Sequence, residues 1–340
     1  MNTELNEQQV EIRAMVSKFL SQRMDAARVR ALVEEGGTDW DVYREAAALG
    51  WVGISIDEER GGSGLGLVEA VVVLEELGAR LSPMPFLSNV ISALVLDTAG
   101  DEDQRERWLE PLLGGKITGA CGLLSGTSSR LVPDAATANF LVLIGNGTAA
   151  LYSPSEAVVS AVETLDLARH FGQVTPRGPG AKLPGYTTVA LDKAKILIAA
   201  ESVGVARRCT EIAIDHAGMR EQFGGPIGRY QAVSHRCADM FEATESARLL
   251  VREAAWIADN RPPAELHLAA SSAKSYACDA AGKVASSAIH VLGGVGFTWE
   301  HDLHLLLRRA KVNAQIFGTS ASCREEIARC LAASIHEESA

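Results

Sequence analysis

Apolar positions recur at helical spacing over most of the chain. Leu5 to Leu20 carries Val10, Ile12, Met15, Val16, Phe19 and Leu20 on such a pattern, and Trp40 to Leu49 repeats it. Glycines at 61, 62, 64 and 66 then break the chain before another amphipathic segment, Val68 to Leu77, which Gly78 is expected to close. From Lys116 to about Tyr186 the pattern changes. Short β-like runs (Phe140 to Ile144, Ala157 to Val162, Thr187 to Leu191) alternate with Gly, Ser, Thr and Pro clusters, which predicts a small antiparallel sheet. The rest returns to helix: Asp192 to Met219, Tyr230 to Asn260, Pro263 to Leu292 and His301 to Ile316, with a terminal helix near Arg324 to Ser334. Alanine and leucine dominate these segments, and long helices on short loops predict a bundle. The expected fold is mainly α, in three units: helices over 1–115, a short β unit over 116–187 and a helical bundle over 188–340.

Between the first two bundle helices runs Arg220-Glu221-Gln222-Phe223-Gly224-Gly225-Pro226-Ile227-Gly228-Arg229-Tyr230-Gln231. Arg220 ends one helix, three glycines and a proline open the backbone, and the next helix starts near Tyr230 with Gln231 on its first turn. A planar, permanently charged fork, an aromatic ring and free amides at a helix start make a cradle for a phosphorylated nucleotide. The competing reading is a plain turn in which Arg220 caps the preceding carbonyls.

Arg220-x-Gln222-Phe223-Gly224, followed by Pro226-Ile227-Gly228 and Gln231, resembles the signature loop of the acyl-CoA dehydrogenase family. The resemblance extends over nearly the whole chain. Trp40…Leu49-Gly50-Trp51…Glu58-Glu59-x-Gly61-Gly62-x-Gly64, with Glu75-Glu76-Leu77-Gly78, is similar to the family's N-terminal helical domain. Ile289-His290-Val291-Leu292-Gly293-Gly294-Val295-Gly296-Phe297 resembles its Gln-x-x-Gly-Gly-x-Gly-Phe loop, with His290 in place of the glutamine. The resemblance implies FAD and oxidation of the Cα–Cβ bond of an acyl-CoA thioester. It also implies that both loops reach across an interface to FAD held mainly by the neighbouring subunit. The residues so implicated are Arg220, Gln222, Phe223, Ile227, Gln231, His290, Gly293 and Gly294.

The chain departs from the family in its middle. The family's Thr-Glu-Pro strand with Gly-Ser-Asp, and its Trp-Ile-Thr segment, hold the flavin ring and the thioester. Here the first place reads Gly119-Ala120-Cys121-Gly122-Leu123-Leu124-Ser125-Gly126-Thr127, and the second has no counterpart. Desaturation also needs a carboxylate to remove the α-proton. Its two family positions fall on Phe317, before Gly318-Thr319, and on Ala194 in Asp192-Lys193-Ala194-Lys195. Neither side chain can take a proton. Glu201 and Glu300 are the alternatives weighed for a displaced base, and a lone Glu on a helix is expected on a solvated face.

Composition narrows the picture further. A net charge of −11 argues against nucleic acid, and any site for an anionic ligand must be locally basic. At 340 residues, 47% of them hydrophobic, the chain is large enough for more than one packed unit. Six cysteines show no C-x-x-C pair, as expected of reduced thiols in a cytoplasmic protein. Met1 to Gln9 does not read as a signal peptide, and no apolar run approaches the roughly 20 residues of a membrane helix. His301-x-x-His304 has metal-pair spacing without a third ligand, and Ser125-Gly126 lacks the spacing of a nucleophile elbow.

Together these point to a subunit that is not itself catalytic. Its expected companion is a full-length homologous acyl-CoA dehydrogenase subunit that holds the flavin ring, supplies the glutamate and binds most of the acyl-CoA. Such unequal pairs resemble the α2β2 enzymes of actinobacterial steroid side-chain β-oxidation. The rival readings are a self-sufficient dehydrogenase with a displaced base and a scaffold without flavin contact.

Overall fold

The computed structural model describes residues 4–338; the first three residues of the polar Met1 to Gln9 segment lie outside that range. Six helices open the chain: α1 (Glu7–Arg23), α2 (Ala26–Glu35), α3 (Trp40–Ala48), α4 (Leu67–Ala79), α5 (Phe86–Ala99) and α6 (Glu102–Leu113). Asn6, Asp25, Asp39 and Asp101 each accept a backbone amide three residues on, which fixes where α1, α2, α3 and α6 begin. Helices α4 and α5 are buried almost all round, so helical periodicity barely marks α5.

Two small sheets follow. The first orders β1 (Gly119–Leu123), β3 (Phe140–Gly145), β4 (Thr148–Tyr152) and β7 (Ala181–Leu183) side by side. The second orders β2 (Ser129–Pro133), β6 (Phe171–Pro176) and β5 (Ala157–Val162). Pairing is antiparallel as expected, except that β1 lies parallel to β3, with Gly119 opposite Phe140. The run Thr187 to Leu191, expected as a strand, is instead the first turn of α7 (Thr187–Met219). Its β-branched residues gave a local signal that burial of Thr187 and Ala190 on the helix overrides.

Helix α7 is the spine of the remainder, packing against α4, α5, α8 (Gln231–Asn260) and α9 (Pro263–Leu292). α10 (Leu303–Asn313) and α11 (Ser320–Glu338) complete the bundle, so α10 is shorter at both ends than the expected His301 to Ile316. Gly78 does not close α4 but lies within it, because its missing side chain lets the helix meet α7 backbone to backbone. A Cβ at Gly78 would overlap the Glu201 carbonyl, and one at Gly204 would overlap the Glu75 carbonyl. The same crossing is tied by Arg207 to Glu76 at 2.7 Å and by Arg248 of α8 to Glu75 at 3.0 Å.

Candidate functional site

Two loops meet at one end of the antiparallel α8–α9 pair. The first is a tight hairpin of β8 (Glu221–Gln222) and β9 (Gly225–Pro226) between α7 and α8. Its two tip residues, Phe223 and Gly224, have φ of +50° and +85°, the pair of left-handed conformations that a two-residue hairpin of this hand requires. A phenylalanine rarely adopts that region. Phe223 nonetheless stands 91% exposed, edge-on to the Tyr230 ring at 6.4 Å. The Tyr230 hydroxyl donates to the Phe223 carbonyl at 3.3 Å, and the Gln222 amide turns back to the Glu221 carbonyl at 2.7 Å.

Arg220 is the C-cap of α7. Its backbone is pinned by its own N–H to the His216 carbonyl and by the Ile227 N–H to its carbonyl, both at 2.8 Å. The guanidinium is exposed and has no hydrogen-bond or ion-pair partner among the described residues. Ile227 packs against the core, whereas Gln231 is exposed on the first turn of α8, a helix start that no side chain caps. The competing reading, in which the Arg220 side chain caps the preceding carbonyls, is not met: Tyr230, Gln222 and Arg229 side chains serve the turn carbonyls, and the Arg220 charge is left to face outward.

The second loop follows α9. Gly293, with φ of +68°, is the C-cap, and neither it nor Gly294 has a neighbour within 4 Å of where a Cβ would stand. Exposed His290 precedes them, its Nδ1 3.5 Å from Arg236 Nη1 on α8. That contact joins the two loops, because α8 begins where α9 ends. His290, Gly293 and Gly294 line a groove of about 450 Å³. His290 also lines a neighbouring groove of about 730 Å³ with Arg236, Lys283, Lys311 and Thr319. In that groove Asp279 is already paired with Arg324 at 2.8 Å, so cations prevail there in a chain of net charge −11. An uncapped helix start, an unpaired guanidinium and two open glycine backbones suit the phosphates and adenine of a dinucleotide.

The positions where a base was sought are closed. Phe317 is buried with φ of +53°, beside Gly318, and Ala194 is fully buried in α7. Lys274, also buried, donates to the carbonyls of Asn313 at 2.8 Å and Gly318 at 3.2 Å, which holds this segment against α9. Glu201 contradicts the expected solvated face, for it is only 3% exposed. Burial by itself would raise its pKa, but the guanidiniums of Arg169 and Arg309 hold it down, at about 2. Arg309 lies 2.9 Å from Glu201 and also pairs with Asp166, while Arg169 pairs with Glu201 and Asn313 Nδ2 donates to it at 2.8 Å. Glu300 is exposed on the loop before α10.

Arg309, Asp166, Arg169, Asn313 and Lys274 escaped the reading of the sequence. One signal was available for Arg309 and Asn313: helical spacing puts them on the same face of α10 as Leu305, Leu306 and Val312. Of the histidine pair, His301 Nδ1 accepts the Leu303 N–H at 3.3 Å, and the His304 ring stands edge-on to Trp299 at 4.6 Å. Among the described residues no group of three His, Cys, Asp or Glu could hold a metal, the six cysteines are unpaired, and no helix is long and apolar enough to cross a membrane.

Comparison with known proteins places this geometry among relatives. The model of the acyl-CoA dehydrogenase N-terminal domain matches residues 6–116, and that of the acyl-CoA dehydrogenase C-terminal domain matches 185–332. Acyl-CoA dehydrogenase IpdE2 of Mycobacterium tuberculosis is 32% identical over 309 residues, covering 90% of this chain and 91% of that protein. The protein of the same name from Mycolicibacterium smegmatis is 30% identical over 336 residues, 96% of this chain and 98% of that one. Among solved structures, the ChsE4-ChsE5 complex from Mycobacterium tuberculosis superposes with a TM-score of 0.87 at 24% identity, covering 98% and 99% of the two chains. A variant of the Tcur3481-Tcur3483 steroid ACAD does so with a TM-score of 0.88 at 23% identity, covering 97% and 99%.

Proposed function

The chain belongs to the acyl-CoA dehydrogenase family, oxidoreductases that act on a CH–CH bond with FAD, and from that premise we propose that it is the non-catalytic member of an unequal pair. Its companion is a complete homologous subunit, and the assembly is α2β2. FAD held at the interface would supply the acceptor for the hydride lost from Cβ of the acyl thioester. This chain's part is to hold the nucleotide half of the companion's FAD. Arg220 supplies the charge for a phosphate, Phe223 and Ile227 flank it, and Gln222 and Gln231 offer side-chain amides. His290 with the Gly293 and Gly294 backbone contacts the adenylate end.

The observation that carries this reading is the fate of the base positions. Phe317 and Ala194 are buried and aprotic, and Glu201, the displaced alternative, is clamped by two guanidiniums. A carboxylate held ionised in a buried ion-pair cluster is unfit to collect a substrate proton near neutral pH. The exposed loops, by contrast, present unpaired donors at one end of α8 and α9. The paired name of one fold neighbour and the steroid named in another support a two-protein assembly and a bulky polycyclic acyl-CoA as substrate class.

Co-expression with a neighbouring full-length homologue tests the proposal. The expected product contains both chains in equal number with one flavin per unlike pair, and this chain alone is colourless. One flavin per chain, or reduction of an electron acceptor by this chain alone with an acyl-CoA, would refute it.

A further inference from the structure

A second concave site lies where the start of α2, the end of α4, the C-terminal half of α7 and the start of α10 converge. It has a volume of about 240 Å³ and shares no lining residue with the grooves at His290. Val29, Leu81, Ile212 and Leu306 give it an apolar lining, and the guanidiniums of Arg30, Arg80 and Arg208 line it as well. These cations differ in how they are engaged. Arg30 is committed to Asp302 at 2.7 Å. Arg208 has only a 3.4 Å contact with half-exposed Glu211. Arg80, half-buried at the C-cap of α4, has no side-chain partner among the described residues.

Two further features point the same way. Leu81, directly after Arg80, holds φ of +53° in the left-handed region that a branched side chain avoids, and this turn carries Arg80 to the cleft wall. His301, also in the lining, accepts the Leu303 N–H at Nδ1, so the proton of its neutral ring sits on Nε2 and adds a donor. Arg30 is spent on Asp302, and Arg208 is loosely held by Glu211, so Arg80 is the one lining guanidinium without a carboxylate of its own among the described residues, which suits a monoanion better than a dianion. A guanidinium fork above apolar side chains selects a planar carboxylate joined to a hydrocarbon body.

We propose that this cleft binds a small aliphatic monocarboxylate, its carboxylate on Arg80 and Arg208 and its chain against Leu81, Ile212 and Leu306. The site spans elements from both ends of the chain, so occupancy braces α2 and α4 against α7 and α10. Glu300, whose carboxylate has no partner among the described residues, is the internal competitor for Arg80 and Arg208.

Calorimetric titration of the assembled protein with sodium hexanoate, and separately with sodium sulfate, tests the assignment. Hexanoate is expected to bind saturably at one site per copy of this chain. Arg80→Gln should weaken it by at least about 10-fold, because a charge-assisted bidentate contact is lost. Since Arg80 has no side-chain partner among the described residues, that variant should keep the parent's melting temperature. Glu300→Gln should tighten binding several-fold by removing the competitor. The proposal is overturned by an absence of saturable hexanoate binding, by equal affinity in Arg80→Gln, or by sulfate binding as tightly as hexanoate.

Discussion

The guanidinium of Arg309 and the carboxylate of Glu201 lie 2.9 Å apart with neither side chain more than 3% exposed. Asp166 and Arg169 complete a four-charge cluster that joins the segment before β6 to α7 and α10. Two cations and two anions cancel, so the cluster is tolerated in the interior only as a whole.

Removing one member leaves a buried charge unpaired. Glu201→Gln is expected to destabilise the fold by about 3–5 kcal/mol, read as a lower denaturant midpoint at unchanged slope. A loss within experimental error would mean that water reaches the cluster.

The same carboxylate sets an acid limit. Its pKa falls from an unperturbed 4.5 to about 2 on folding, so its contribution is complete above pH 4.5 and is lost as pH falls towards 2. Stability measured across that window should decline in the parent and be flatter in Glu201→Gln, provided the variant folds at pH 6.

Arg220 should separate cofactor retention from folding. Its guanidinium has no partner among the described residues, so Arg220→Ala is expected to leave the melting temperature of the isolated chain unchanged. In the assembled pair it should cost on the order of 1.5–3 kcal/mol of flavin affinity, seen as flavin lost on gel filtration. Full retention would favour a scaffold role.

Restoring the family's base should not restore activity. In Phe317→Glu the new carboxylate replaces a ring that is 3% exposed, on a segment held by the Lys274 bonds to Asn313 and Gly318. The expected result is a lower melting temperature and no acyl-CoA oxidation by this chain alone; turnover by the variant would show that only the glutamate was missing.

Lys274 carries its own test. Lys274→Met strips a donor from the carbonyls of buried Asn313 and half-buried Gly318 and is expected to cost about 1–3 kcal/mol in chemical unfolding.

What the sequence determined by itself was whatever depends on local order. Helical periodicity located most of the helices, because one buried stripe per helix leaves a repeat of 3.6 in the residue pattern. The resemblance of the motifs pointed to the family, and it implied that the base positions fall on Phe317 and Ala194, which are aprotic. Tertiary structure alone decided three things. Thr187 to Leu191 became helix because α7 buries it, and Gly78 became a crossing point because Glu201 backbone lies against it. Glu201 changed from an expected surface acid to a locked interior one because Arg309, 108 positions later, and Arg169 arrive beside it. A charge's environment is set by neighbours that are distant along the chain, and no local pattern records them.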